Sequence, residues 1–586
     1  MSVPASFPLQ GAAESPIGTS IEVIAARRLQ HFDSIFSSPI SNAAYSDTTE
    51  ASLLEDIDYL RSLTARFSRR LNHLRCPILR LPPEIMQLLF HAVVDLVANT
   101  RHWMRLGRVC HHFRTVLLGM HSLWGKKAFA FDIVPNETLL ERAHDAPIVI
   151  KLPSDCPSAR LGLALKHLHR AREIMADGNV PAIELIHGLR AKSLPLLDSL
   201  YLHIDTDVNL NSTTSLLSIL PSFSAPNLRH LELTNVSLSY SEHWPTGLTT
   251  LKLQMLLDNS SLLSPATFVS ALRLCANLRE LELYGYIPNL SELPQAERNQ
   301  PIPFPSLEML RIGQGHARIH QLWTMLTLPS SASIKISLDE PQLEFDSRSL
   351  TAHVEYTRMF SAHVTAYNAV ISRMSALQIH AEDEHWLCLK VYGADCGTDA
   401  AYPPDLSDTR WTCIAEFDFY TDPWTGDELS AAIARFSSMF NLAQIRYLSF
   451  DDDSIGECLR HAGLPPAYAS FKAVRTLHLG YCAAPDAFTP LRQLFSSNSS
   501  NSFSSAPSML CPALNTLYLS DDEASDGIED FEFGVLCSPL LEMLKNRSER
   551  GIPVKSLELG FDHIEESDHK HLLEFVDEVL HKRPDE

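Results

Sequence analysis

Along most of this chain the apolar positions recur in one short unit: an apolar residue, two others, then Leu-x-Leu or a close variant. It occurs at Leu197–Leu202, Leu228–Leu233, Leu248–Leu253, Leu278–Leu283 and Leu307–Ile312. It returns at Ile414–Phe419, Ile445–Phe450, Val474–Leu479, Leu514–Leu519 and Val554–Leu559. A period-2 ending predicts a short strand whose alternate side chains point inward. Helical spacing fills several gaps, from Ser264-Pro265 to Leu274 and from Asp427 to Phe440, both with N-cap chemistry at the start. This alternation predicts an irregular α/β solenoid, leucine-rich-repeat-like, over residues 191–586. A C-terminal capping helix carrying Leu572, Val576, Val579 and Leu580 on one face would close it. Residues 340–367 fit no repeat. Nearer the N-terminus, Leu53, Ile57, Leu60, Thr64, Phe67, Leu71 and Leu74 step by four and three, which predicts a heptad-patterned helix over 48–76. Its seam suits packing on the segment that follows or pairing with a second copy. Residues 1–47 are Ser/Ala/Pro-rich and aperiodic, as a disordered tail is.

Between the heptads and the repeats lies a denser motif over residues 77–130. It opens Leu81-Pro82-Pro83-Glu84-Ile85, continues with Leu88 and Leu89, then Val109-Cys110-His111-His112-Phe113, and closes on Leu123-Trp124. Proline at a first helical turn loses no hydrogen bond and pre-sets φ, so a helix starts there. This order of features resembles the F-box, the three-helix module that plugs substrate receptors into SCF-type cullin–RING ubiquitin ligases. The chain departs from that family at Phe113, where tryptophan is usual. The resemblance implies a mainly α N-terminal part, a long helix plus a three-helix F-box, joined by a connecting region (131–190) to the solenoid. It also implies that Leu81, Pro82, Glu84, Ile85, Leu88, Leu89, Val109, Cys110, Phe113, Leu123 and Trp124 bind the ligase adaptor or pack the module's core; the sequence does not separate the two groups.

Charge supports an acidic partner. From Arg61 to Lys127 twelve Lys/Arg face two acids, a local +10, which leaves −32 for the rest of a chain whose total is −22. Opposite fields on two parts of one molecule steer partners of opposite sign. The family's adaptor is acidic and carries the cullin with it. Nucleic acid is not expected, because no groove-reading motif or aromatic interleaving accompanies the basic stretch. On the predicted strands the x residue and the one two further face away from the core. Tyr201, Glu232, Glu282, Tyr284, Asp418, Tyr420 and Tyr518 stand there. Over all such positions on the ten strands acids outnumber Lys/Arg five (with Asp451 and Glu558) to two (Lys252 and Arg311), as a basic or mixed protein client would want and a phosphate would not.

No catalytic constellation appears. Gly119 to Gly125-Lys126-Lys127 has the wrong spacing for a phosphate loop, and Gly-x-Ser-x-Gly and His-Glu-x-x-His are missing. Cys110-His111-His112 has no second ligand pair at zinc spacing, and Asp451–Asp453 reads as solvated acids at a strand end. The eleven cysteines form no CxxC pair, which fits free thiols in an intracellular, reducing compartment. No apolar run is long enough to span a membrane. Neither enzyme nor cofactor is therefore expected. The expected function is a client receptor of an SCF-type ligase; the alternative is a repeat scaffold that binds proteins with no ligase link. The sequence identifies neither the client, nor a modification needed for its capture, nor the oligomeric state.

Overall fold

The computed structural model describes residues 16–36, 43–96, 102–131, 136–205, 218–238, 245–255, 263–338, 350–370, 373–383, 386–394, 411–420, 426–440, 444–450, 471–480, 494–495, 508–509, 511–520, 533–560, 564 and 566–581. The chain divides into two compact units, Met1–Leu123 and Trp124–Glu586. The described part of the first unit is helical: α1 (Pro16–Phe36), α2 (Ala43–Arg75), α3 (Pro83–Leu96), α4 (Leu106–Val109), α5 (His111–Leu118) and the start of α6 (His121–Lys127). Helix α1 lies within the stretch expected to be a tail.

The second unit is built on one sheet of 16 strands. In chain order they are β1 (Ile148–Leu152), β2 (Ala171–Asp177), β3 (Ser199–His203), β4 (His230–Thr234), β5 (Thr250–Gln254), β6 (Glu280–Tyr284), β7 (Met309–Gly313) and β8 (Ser333–Leu338). There follow β9 (Arg373–Asp383), β10 (Trp386–Ala394), β11 (Trp411–Tyr420), β12 (Tyr447–Phe450), β13 (Thr476–Gly480), β14 (Thr516–Ser520), β15 (Ser556–Gly560) and β16 (Glu578–His581). Register is set by leucine. Leu200, Leu231, Leu251, Leu281, Leu310 and Ile334 form one buried row, and Leu202, Leu233, Leu253, Leu283, Ile312 and Ile336 a second. A one-residue slip would turn both rows to the opposite face, so burial fixes the pairing.

The expected solenoid is corrected by this topology. A solenoid stacks each unit on the next in sequence. Here β8 pairs with β11, and β11, β10 and β9 run antiparallel to one another before parallel order resumes from β9 to β12. The sheet also begins in the supposed connecting region, at β1 and β2. It ends on a strand, β16, because the last helix stops at Leu572 and Val579 and Leu580 extend instead. The result is a mixed α/β fold around a mostly parallel sheet. Of residues 340–367, which fit no repeat, the described part, from Leu350 on, is helical. The helix expected from Ser264 runs Pro265–Leu274, capped by the Ser264 hydroxyl accepting from the Thr267 N–H at 3.3 Å.

Strand ends need residues that tolerate positive φ. Asn235 follows β4 at φ 57°, and Gly285 follows β6 at φ 62°. A Cβ on Gly285 would also lie 2.0 Å from the Met255 carbonyl oxygen, which is backbone and cannot move aside. Gly285→Ala should therefore cost about 2–4 kcal/mol of unfolding free energy, a left-handed penalty plus a steric one. Urea denaturation measures it; an unchanged midpoint would refute the assignment.

Candidate functional site

Helix α3 is apolar on two sides. Met86, Phe90 and Val94, at four-residue spacing, are buried, and Phe90 meets Phe113 edge to face with centroids 5.2 Å apart. Ile85, Leu88, Leu89 and Leu96 lie on the other side and are exposed. A helix with apolar residues all round needs cover on both sides, and here the second side is bare. At the end of α4, Val109 is 65% exposed, as is Leu88. Cys110 then caps α5, its Sγ accepting from the Phe113 N–H at 3.5 Å, which turns Phe113 inward and leaves Val109 outside.

The eleven motif residues thus separate. Phe113, Leu123 and Trp124 are core; Leu81 and Cys110 are half-buried; Pro82, Glu84, Ile85, Leu88, Leu89 and Val109 are exposed. Arg75, Arg80, Arg105, Arg108 and Arg114, in the same unit, are also exposed. Arg80 donates to the carbonyls of His73 (3.3 Å) and Leu74, satisfying the last turn of α2.

On the sheet, parallel register lines up one outward row: Tyr201, Glu232, Lys252, Glu282, Arg311, Lys335, Glu416, Lys390, Gln378, Ser449, His478, Tyr518 and Glu558. The acidic surround expected of this face is not what forms. Lys335 on β8 and Lys390 on β10 enter the row, and ion pairs neutralise it: Lys252–Glu280 at 3.0 Å, Arg311–Glu282 at 3.2 Å and Lys335–Glu416 at 2.9 Å. Sequence reasoning missed both lysines because β8 and the β9–β10 pair carry no repeat. Their signal was the alternation Ile334-Lys335-Ile336 and Leu389-Lys390-Val391.

Of the client-facing residues, Tyr201, Glu232, Glu282, Tyr284 and Tyr518 are half-buried, and Tyr420 is exposed. Asp418 is not available for docking. Its side chain is 6% exposed, accepts from the Ser337 hydroxyl at 2.8 Å and pairs with Lys335 at 3.2 Å. From β12 onward the row is mostly covered: Ser449, His478 and Glu558 are buried, Tyr518 stays half-buried, and the Ser449 hydroxyl lies 2.8 Å from His478 Nδ1. Two aromatic pairs form around the antiparallel strands, His380 against Trp386 (5.1 Å) and Trp411 near Tyr447 (6.3 Å).

Two groups among the described residues have metal-ligand spacing. Cys388, Glu416 and Asp418 form one, but the Lys335 ammonium already sits between the carboxylates. Burial, and next the Asp418 carboxylate, push the Cys388 thiol far above its usual range. Asp177, His203 and Asp205 form the other, at the rim of the sheet, with His203 Nε2 3.1 Å from Asp205. Three largely exposed donors in an ordinary surface ion pair do not make a built site.

The described cysteines are free. Burial raises Cys511 to about 12, tempered by Arg547, and the half-buried Cys413 to about 12. Native alkylation with iodoacetamide at pH 8 should label Cys76, Cys110 and Cys156, which are partly exposed, well before Cys388 and Cys511. Peptide mass spectrometry reads the order, and early labelling of Cys388 would contradict the burial described here. No described helix is long and apolar enough to cross a membrane. Comparison of the sequence with family models and with curated proteins returned no match.

Proposed function

We propose that this chain is a client receptor of an SCF-type cullin–RING ubiquitin ligase, supplying no catalytic residue of its own. The carrying observation is the bare apolar stripe Ile85, Leu88, Leu89 on α3, together with the exposed Val109 in the same unit. These are motif residues that the resemblance implies either bind the adaptor or pack the core, and the core of their own unit does not use them. Exposed arginines of the same unit suit an acidic adaptor by steering encounter. A buried apolar centre with a charged rim is the usual anatomy of a protein interface.

The outward row of the sheet is the client surface in this reading, between β3 and β11, where it stays half-open. Tyr201, Tyr284 and Tyr420 offer flat apolar area with a polar tip. Glu232, Glu282, Lys252 and Arg311 offer both signs of charge, which fits a mixed client segment rather than a strongly basic one.

Affinity purification of the tagged full chain tests the proposal. Adaptor and cullin should co-purify in near-stoichiometric amounts, and their absence would overturn it. Alanine at Tyr201 and Tyr284 should leave that recovery unchanged.

A further inference from the structure

Helix α2 is 33 residues long, about 50 Å, and its heptad seam is largely uncovered. Leu53 and Ile57 are half-buried, while Leu54, Leu60, Phe67, Leu71 and Leu74 are exposed. Helix α1 reaches α2 at Arg28, which donates to Asp56 (2.7 Å) and Ser52 (3.1 Å), both in the first half of α2. The bare apolar positions continue along the second half, at Phe67, Leu71 and Leu74.

Charge says what covers them. Residues 47–58 carry five acids and no Lys/Arg, and residues 61–75 carry five arginines and no acid. Glu50, Glu55, Asp58 on one side of the divide and Arg61, Arg66, Arg69, Arg70, Arg75 on the other are all exposed. A helix so polarised matches itself head to tail. Antiparallel pairing lays each acidic half along an arginine half, whereas parallel pairing lays arginine on arginine. A register centred near residue 62 places Leu53 opposite Leu71 and Ile57 opposite Phe67, twice over by symmetry, and sets Leu60 opposite the single polar seam residue, Thr64. Such an interface is isologous and closed.

We propose that this chain forms a homodimer through antiparallel pairing of α2 with α2 of a second copy. This assignment rests on no part of the ligase reading, and either stands without the other.

Light scattering on the full chain at low micromolar concentration tests it. The expected mass is twice that of the 65.5 kDa chain. Phe67→Glu with Leu71→Glu should return the monomer mass. Two variants confined to exposed charges avoid any question of folding: R66E/R69E/R70E and E50R/E55R/D58R. Each alone should be monomeric, and a mixture of the two should recover the dimer. Raising NaCl from about 0.05 to about 0.5 M should weaken the wild-type dimer, because attraction across the seam is screened. A monomeric wild type overturns the proposal, as does a dimer that survives F67E/L71E or a mixture that stays monomeric. A dimer strengthened by salt overturns the antiparallel orientation.

Discussion

Replacing Leu88 and Val109 together with aspartate should abolish recovery of the ligase adaptor while the protein stays folded. Both side chains are about two-thirds exposed, so the substitution costs the free chain little. In a complex, two carboxylates would be buried without partners in the middle of an apolar patch, and central positions carry most of the binding free energy. A loss of at least about 4 kcal/mol, roughly a thousandfold in Kd, follows from two such positions. The companion replacement Phe113→Ala acts differently. Phe113 packs edge to face on Phe90 in the core, so it should lower the melting temperature of the first unit. Pull-down with the adaptor and circular dichroism separate the two effects. Wild-type adaptor recovery by the L88D/V109D chain would sink the ligase reading outright.

Replacing Lys335 with methionine should destabilise the sheet by about 2–3 kcal/mol, nearly the effect of breaking a buried ion pair, reduced because Lys335 keeps a third of its side chain in solvent. Its ammonium bridges Glu416 and Asp418 across the β8–β11 junction, where parallel order gives way to the antiparallel strands. Without it, Asp418 stays buried with one oxygen on Ser337, the other having no hydrogen-bond partner among the described residues, and a second carboxylate beside it. Lys390, 3.7 Å from Glu416, compensates in part. Adding Asp418→Leu to Lys335→Met should recover most of the loss, because the uncompensated charge goes with it. Guanidinium denaturation measures both variants, and a double variant no more stable than K335M would show that the cluster is not coupled as described.

Much of the sheet was legible because leucine at period two leaves little freedom: Leu281 and Leu283 must face one way, so Glu280 and Glu282 face the other. The motif around Pro82–Trp124 was legible as an ordered set of residues, but its two populations were not. Ile85 and Met86 are neighbours with similar side chains, and only the helix phase set by the Phe90–Phe113 contact decides that Met86 is covered and Ile85 is bare.

The reversal in strand order between β8 and β12 was not legible. β9 and β10 carry ordinary alternation, with nothing local to say that they fold back between β8 and β12, because pairing partners far apart in sequence are chosen by the whole sheet rather than by either strand. The sign of the outward face went the same way. Acids were visible on the repeat strands, while Lys335 and Lys390 sit on strands without the repeat, and topology alone brings them beside Glu416. The sequence by itself determined the positions of the ten repeat strands, their inward and outward faces and the charge polarity of α2, since each follows from local periodicity and composition. Only the tertiary structure decided which strands are neighbours, which charges cancel and which apolar residues remain uncovered, because these depend on contacts between residues tens of positions apart.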